Sequence, residues 1–154
     1  LRPVFDALGV RFLRNESVTI DGVTVVGIDS AREAAADPAK ALADLPDGPR
    51  LIVWHEPDAV DALRPGDGHL MLAGHSHGGQ FRFPGGITPM RCDMGKKYHD
   101  GHYPETPVPL FVTRGVGTTG PPSRFLCPPE VAVLELFPDA VGGEVGDGAD
   151  PALA

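Results

Sequence analysis

The chain has 154 residues, with 21 acidic against 13 basic side chains, a formal charge of −8 and a 42 % hydrophobic share. That length fits one domain with a core adequate for folding. The acidic excess leaves no evident nucleic-acid surface, and the hydrophobic share excludes general disorder.

The 20 glycines and 17 prolines predict short elements joined by many structured loops. The two cysteines, Cys92 and Cys127, match neither a disulfide scaffold nor a zinc-knuckle spacing, so a reducing compartment is the default. No apolar run reaches membrane-spanning length, and no stretch reads as a secretory signal peptide. The chain starts Leu1-Arg2-Pro3 without a methionine, which suggests a processed product, an excised fragment or part of a longer gene product.

Leu1 to Leu8 reads as the end of a short helix, because Val4, Phe5 and Leu8 share a face and Gly9 follows as a stop signal. Val10 to Leu13 is expected to be a short strand. Ser17 to Ile20 and Val23 to Ile28 flank Asp21-Gly22, a pairing that predicts a tight hairpin. A helix is predicted over about 37–45, capped by Asp37 with Pro38 in its first turn. Arg50 to Trp54 is an apolar strand ending in His55, and Glu56 to Leu63 reads as a short helix with acids in its first turn. Pro65-Gly66-Asp67-Gly68 then turns the chain into a second apolar strand, Leu70 to Ala73.

That strand runs into Gly74-His75-Ser76-His77-Gly78-Gly79-Gln80. Neutral imidazole is a common ligand of borderline divalent metals. Gly74, Gly78 and Gly79 are expected to serve the turn, letting the backbone bend tightly and approach a ligand. If the two apolar strands are parallel and adjacent, His55 and His75 emerge at one sheet edge, where ligand sites of open α/β sheets gather. A metal site built from His55, His75 and His77 is the expectation; the alternative is a set of hydrogen-bonded loop histidines.

Phe81 to Phe83 is expected to be a short strand. From Gly85 to Pro109 no periodicity is sustained, which predicts an ordered flap or a mobile loop. His99 and His102 lie in it, within potential reach of a bound anion. Leu110 to Thr113 reads as a strand, and the glycine-rich turn after Arg114 lacks the Gly-Lys-Ser/Thr of a phosphate-binding loop. Val131 to Phe137 alternates as a last, largely buried strand. Residues 138–154 form an acidic, glycine-rich tail, so a domain is expected over 1–137.

Four segments together resemble the calcineurin-like metallophosphoesterase superfamily: Trp54-His55-Glu56-Pro57-Asp58, Leu72 to Gln80, Arg114-Gly115-Val116-Gly117-Thr118-Thr119-Gly120, and Arg124-Phe125-Leu126-Cys127-Pro128-Pro129-Glu130. The likeness is strongest to a bacterial branch of membrane- or envelope-associated phosphodiesterases, which includes relatives acting on nucleotide-sugar lipid pyrophosphates. It implies an α/β fold, a two-sheet sandwich flanked by helices, with two divalent metals (Mn, Fe or Zn) at the strands' carboxyl ends. It implies that His55 and His75 ligate one ion and His77 the other. The pair of ions activates water against a phosphate ester and neutralises charge on the phosphoryl oxygens. Ser76, Asp58, Glu56 and Arg114 are candidates for contacting substrate or supporting the ligands.

The family's Asp-x-His, Gly-Asp and Gly-Asn-His segments, which carry the bridging aspartate and the catalytic histidine, have no counterpart in the right place. Gly66-Asp67-Gly68-His69 matches two of them by letter only, at the start of a strand. The chain therefore resembles a carboxyl-terminal half, with no catalytic residue of its own. The other half would come from the same gene product or a partner chain, and the enzyme would be cytoplasmic or held to a membrane by an upstream segment. Two further readings are a single zinc held by three histidines and a catalytically inactive metal- or phosphate-binding module acting through protein contacts.

Overall fold

The computed structural model describes residues 2–85, 87–89 and 92–137; the expected 138–154 tail lies outside them. Helix α1 (Arg2–Ala7) leads to a hairpin of β1 (Glu16–Ile20) and β2 (Val23–Ile28), with Asp21 and Gly22 both at positive φ as a two-residue hairpin turn requires. Helix α2 (Pro38–Ala41) is capped by the Asp37 side chain on Lys40 N–H, but it is one turn long, shorter than expected. Strands β3 (Arg50–Trp54) and β4 (Leu70–Ala73) have the predicted bounds. Between them, Pro57–Ala62 winds as a 3-10 helix.

Beyond β4 come β5 (Gly101–Tyr103) and β6 (Leu110–Val112). All six strands form a single mixed sheet in the order β1-β2-β3-β4-β6-β5. β2, β3, β4 and β6 run parallel, and the antiparallel β1 and β5 form its two edges. Among the described residues there is one sheet, not the two of the expected sandwich.

Register decides what is buried. Val26, Ile52, Met71 and Leu110 lie side by side across the four parallel strands, as do Ile28 with Trp54 and Ala73 with Val112. All are buried, packed with Ala41, Ala59, Val60, Leu63, Tyr98 and Val108. The alternate positions point to the other face, where Val25, Leu51, Leu72 and Phe111 are half-buried and Val53 is 43 % exposed. Parallel strands ordinarily carry apolar side chains on both faces because both are covered. Here one face is sealed and the other stays largely open.

Three expected strands are absent for one reason: each lacks a neighbouring strand to pair with. Val10–Leu13 crosses the open face instead, where a Cβ added to Gly27 would come within 2.3 Å of Leu13 Cβ. Phe81 and Phe83 make only isolated bridges, to Phe125 and Ile87. Residues 131–137, read as largely buried, are irregular and exposed, with Val131 at 80 % and Val133 at 85 %. Conversely, the stretch read as aperiodic contains β5, whose extended form comes from pairing with β6.

Candidate metal centre

The carboxyl ends of β3 and β4 lie together because the strands are parallel neighbours, and Gly74 N–H donates to the His55 carbonyl at 3.1 Å. The His55 and His75 rings meet edge to face with centroids 5.1 Å apart. A cavity of about 780 Å3 opens there onto the uncovered face, and its lining includes His55, His75, His77, Arg114, Leu72 and Val53. All three histidines therefore share one space.

The turn that presents them is strained. His75 (φ 62°), His77 (φ 52°) and Gln80 (φ 54°) are left-handed without being glycine, each at a cost of about 1–3 kcal/mol that surrounding structure must offset. Several groups hold the turn. Ser76 Oγ donates to the His99 carbonyl and accepts from Gly78 N–H at 3.2 Å. Buried Gln80 uses its whole amide on the 119–121 backbone: it donates to the Thr119 and Pro121 carbonyls and accepts from Thr119 N–H. The Arg124 guanidinium gathers the carbonyls of His77, Arg114, Gly115 and Gly117 at 2.7 to 3.0 Å, tying the histidine turn to the glycine-rich one. Cβ atoms added to Gly78 and Gly79 would fall 2.4 Å from Arg114 Cγ and 2.6 Å from Thr88 Cγ2, so both glycines are required. Gly74 is not, since its nearest neighbour would sit at 3.8 Å.

Hydrogen-bond chemistry fixes which imidazole nitrogens are available. His75 Nε2 lies 2.7 Å from the Asp93 carbonyl, which can only accept, so Nε2 carries the proton and Nδ1 the lone pair. His77 Nδ1 faces the Gly117 carbonyl at 3.2 Å and Nε2 the Thr119 hydroxyl at 3.0 Å, leaving Nε2 as the acceptor. No hydrogen bond occupies the His55 ring among the described residues. Surrounding protein partly desolvates the His55 ring; that, with the positive charge His75 would carry, holds its pKa below the usual 6.5 and favours a neutral imidazole.

The remaining candidates have other partners. Arg114 lines the cavity, but its guanidinium grips Glu130 through Nε at 2.8 Å and through Nη2, with Asp100 at 3.8 Å. The Glu130 hydrogen bond keeps the Arg114 pKa above its ordinary value. Glu56 is the N-cap residue of the Pro57–Ala62 helix, but its buried carboxylate caps nothing there and instead accepts from Ser30 Oγ at 2.5 Å and Ala31 N–H at 3.2 Å. Asp58 accepts from the backbone N–H groups of Lys96, Lys97 and Tyr98. His99 turns its ring to the Gly95 carbonyl, and His102 is exposed on edge strand β5; neither lines the cavity. Asp67 and His69 lie at the opposite ends of the strands, where His69 Nδ1 accepts from Arg50 N–H, so they are remote from the three histidines. Gln80, Arg124 and Glu130 carry structural duties that residue type alone did not reveal. The signal was a glycine-rich turn whose carbonyls need donors, with an arginine a few residues on.

The donor chemistry suits a metal incompletely. His55 and His75 are neighbouring, accessible nitrogen donors. Yet no three His, Cys, Asp or Glu side chains are grouped to hold an ion among the described residues.

No family model matches the chain, and no solved structure does. Similarity to curated proteins is clear. The chain is 31 % identical over 141 residues to an uncharacterized metallophosphoesterase of Helicobacter pylori, covering 86 % of this chain and 37 % of that protein. It is 40 % identical over 88 residues to the phosphodiesterase YaeI of Escherichia coli, covering 57 % and 32 % respectively. Over 137 residues it is 31 % identical to the UDP-2,3-diacylglucosamine pyrophosphatase LpxG of Chlamydia trachomatis, covering 82 % and 41 %. The chain thus spans only about a third to two-fifths of the length of these relatives. Its distant homology to them makes it a member of the calcineurin-like metallophosphoesterase superfamily.

Proposed function

We propose that this chain is the histidine-bearing part of a metal-dependent phosphoesterase, most simply a phosphodiesterase. The observation that carries this reading is that His55, His75 and His77 line one cavity at the carboxyl ends of parallel strands. His55 and His75 would hold one divalent ion and His77 would contribute to a second, through Nε2 once Thr119 releases it. Bound metal would supply Lewis-acid polarisation of a phosphate ester and neutralise charge on its oxygens. The chain's own residues present imidazole nitrogen donors, fix the His75 and His77 rings through the Asp93 and Gly117 carbonyls, and line one side of the cavity with apolar strand residues. Arg114 acts by bracing the turn through Glu130 rather than as a free phosphate ligand.

The carboxylates and asparagine of a dinuclear site would come from a segment outside this chain, in the same gene product or a partner. The open apolar face beside the cavity supports this, since the same contact would cover Val53 and Leu72. The substrate would be a phosphate ester; a lipid-linked pyrophosphate is one member of that class.

Metal content by elemental analysis of the chain tests the proposal. Less than one tightly held ion per chain is expected, rising when the complementary segment is present and falling again with His75→Ala. Two tightly held ions on the chain alone would overturn it. The second reading, an inactive binding module, is favoured by the incomplete donor set. Hydrolysis of an aryl phosphodiester by the completed protein, abolished by His75→Ala, would exclude it.

A further inference from the structure

The loop that begins at Asp93 touches the histidine turn twice. The Asp93 carbonyl accepts from His75 Nε2 at 2.7 Å, and the His99 carbonyl accepts from Ser76 Oγ. Between these contacts the loop packs closely on the turn: a Cβ added to Gly95 would lie 3.4 Å from Ser76 Cβ. Nothing in the loop's sequence, Asp93-Met94-Gly95-Lys96-Lys97-Tyr98-His99, dictates this conformation. Side chains outside the loop hold it, and one carboxylate takes three of its backbone N–H groups. Asp58 accepts from three successive backbone N–H groups, Lys96 at 2.9 Å and Lys97 and Tyr98 at 3.1 Å each, and its own N–H donates to the Met94 carbonyl at 3.2 Å. Charge-assisted hydrogen bonds of this kind are about twice as strong as neutral ones. Asp58 itself is three residues beyond His55, on the 3-10 helix that β3 feeds into.

A continuous chain of contacts therefore runs from the end of β3, through Asp58 and the 93–99 loop, to the His75 ring. We propose that Asp58 is a positioning residue: by pinning the 93–99 loop it sets the Asp93 carbonyl against His75 Nε2 and so keeps Nδ1 as the nitrogen offered to the cavity. The second partner of a histidine ligand fixes its tautomer and ring orientation, and loss of such a partner typically weakens metal binding roughly 10–100-fold. The link to metal rests on the phosphoesterase reading; the link from Asp58 to the tautomer does not.

Long-range 1H–15N correlation spectra of the imidazole rings, recorded on the metal-free chain, test this directly. His75 should appear as the single Nε2–H tautomer, and an Nδ1–H tautomer in the unsubstituted chain would overturn the proposal before any variant is made. Asp58→Ala should convert His75 to a tautomer mixture, with faster amide exchange at 96–98, and Asp58→Asn should give a smaller change. Asp61→Ala is the control. It removes side-chain bonds to Lys97 and Tyr98 in the same loop but leaves the three backbone bonds to Asp58 intact. It should leave the His75 tautomer unchanged; an equal shift in Asp61→Ala would assign the effect to general loosening and overturn the proposal. Zinc titration followed at His75 Nδ1 is read separately. Failure of zinc to perturb that nitrogen in the unsubstituted chain counts against the phosphoesterase reading. An unaltered zinc affinity in Asp58→Ala, where the unsubstituted chain binds, counts against the positioning role.

Discussion

At the scale of single residues, the histidine turn depends on what cannot be there. At Gly78 a methyl group would meet both Arg114 Cγ and Cys127 Sγ, while φ is already +62°. Gly78→Ala combines overpacking with left-handed strain and should cost roughly 2–5 kcal/mol, read as a drop in denaturant midpoint. Gly9→Ala is the comparison: φ is +72° but nothing lies within 4 Å, so only about 1–2 kcal/mol is expected. Glu130 supplies a pH dependence. Burial pushes its carboxyl upward, but the hydrogen bond and charge of Arg114 outweigh that, and its pKa lies below the ordinary 4.5. The stabilisation is complete above pH 4.5 and is lost as pH falls through the lower folded value. Glu130→Gln should flatten that acid limb of the stability profile, measured by chemical denaturation from pH 5 downward.

At the scale of elements, Arg124 is the clasp between two turns. A hydrogen bond to a charged group contributes about 1.5–3 kcal/mol net of its exchange with water, and the bonds of one guanidinium are not additive, so Arg124→Ala should destabilise by roughly 2–4 kcal/mol. It should also raise amide exchange in 115–120 well before it disturbs β3. Which elements were legible in the sequence follows from the same distinction between local and imposed structure. Leu51 to Trp54 and Leu70 to Ala73 are continuous apolar runs bounded by turn residues, and the Asp21-Gly22 turn is chemically specific. Those signals are local, so β2, β3, β4 and the convergence of His55 with His75 could be read directly. β5 is three residues starting with glycine and is extended because β6 lies beside it. Val131 to Phe137 shows the opposite failure: its alternation marks a face without supplying a partner. Asp58 and Glu56 stand out in the sequence, but their partners, a backbone 38 residues ahead and a serine 26 residues behind, are tertiary facts.

At the scale of the whole molecule, the two faces of one sheet should respond oppositely to substitution. Ile52→Ala, on the sealed face, should cost about 2–4 kcal/mol through the cavity it leaves. Val53→Thr, its immediate neighbour on the open face, should change the stability of the isolated chain by no more than about 0.5 kcal/mol. Where the complementary segment proposed above covers that face, the same Val53→Thr change should weaken its association, measurable by calorimetric titration. Sequence could not separate these faces, because in parallel strands both are written in the same apolar residues.

The edges of the sheet have a consequence of their own. One is β1, with Glu16, Ser17 and Thr19 in its strand, and the other is the three-residue β5. Short or polar edges are poor templates for adding strands. Fibrillar growth needs such a template, because every added strand must expose another. Stacking of two exposed apolar surfaces does not: each occupies the other, and the process stops at a pair. Crowded solutions of this chain should therefore populate a discrete, concentration-dependent dimer in sedimentation velocity, without the nucleated, seedable kinetics of amyloid.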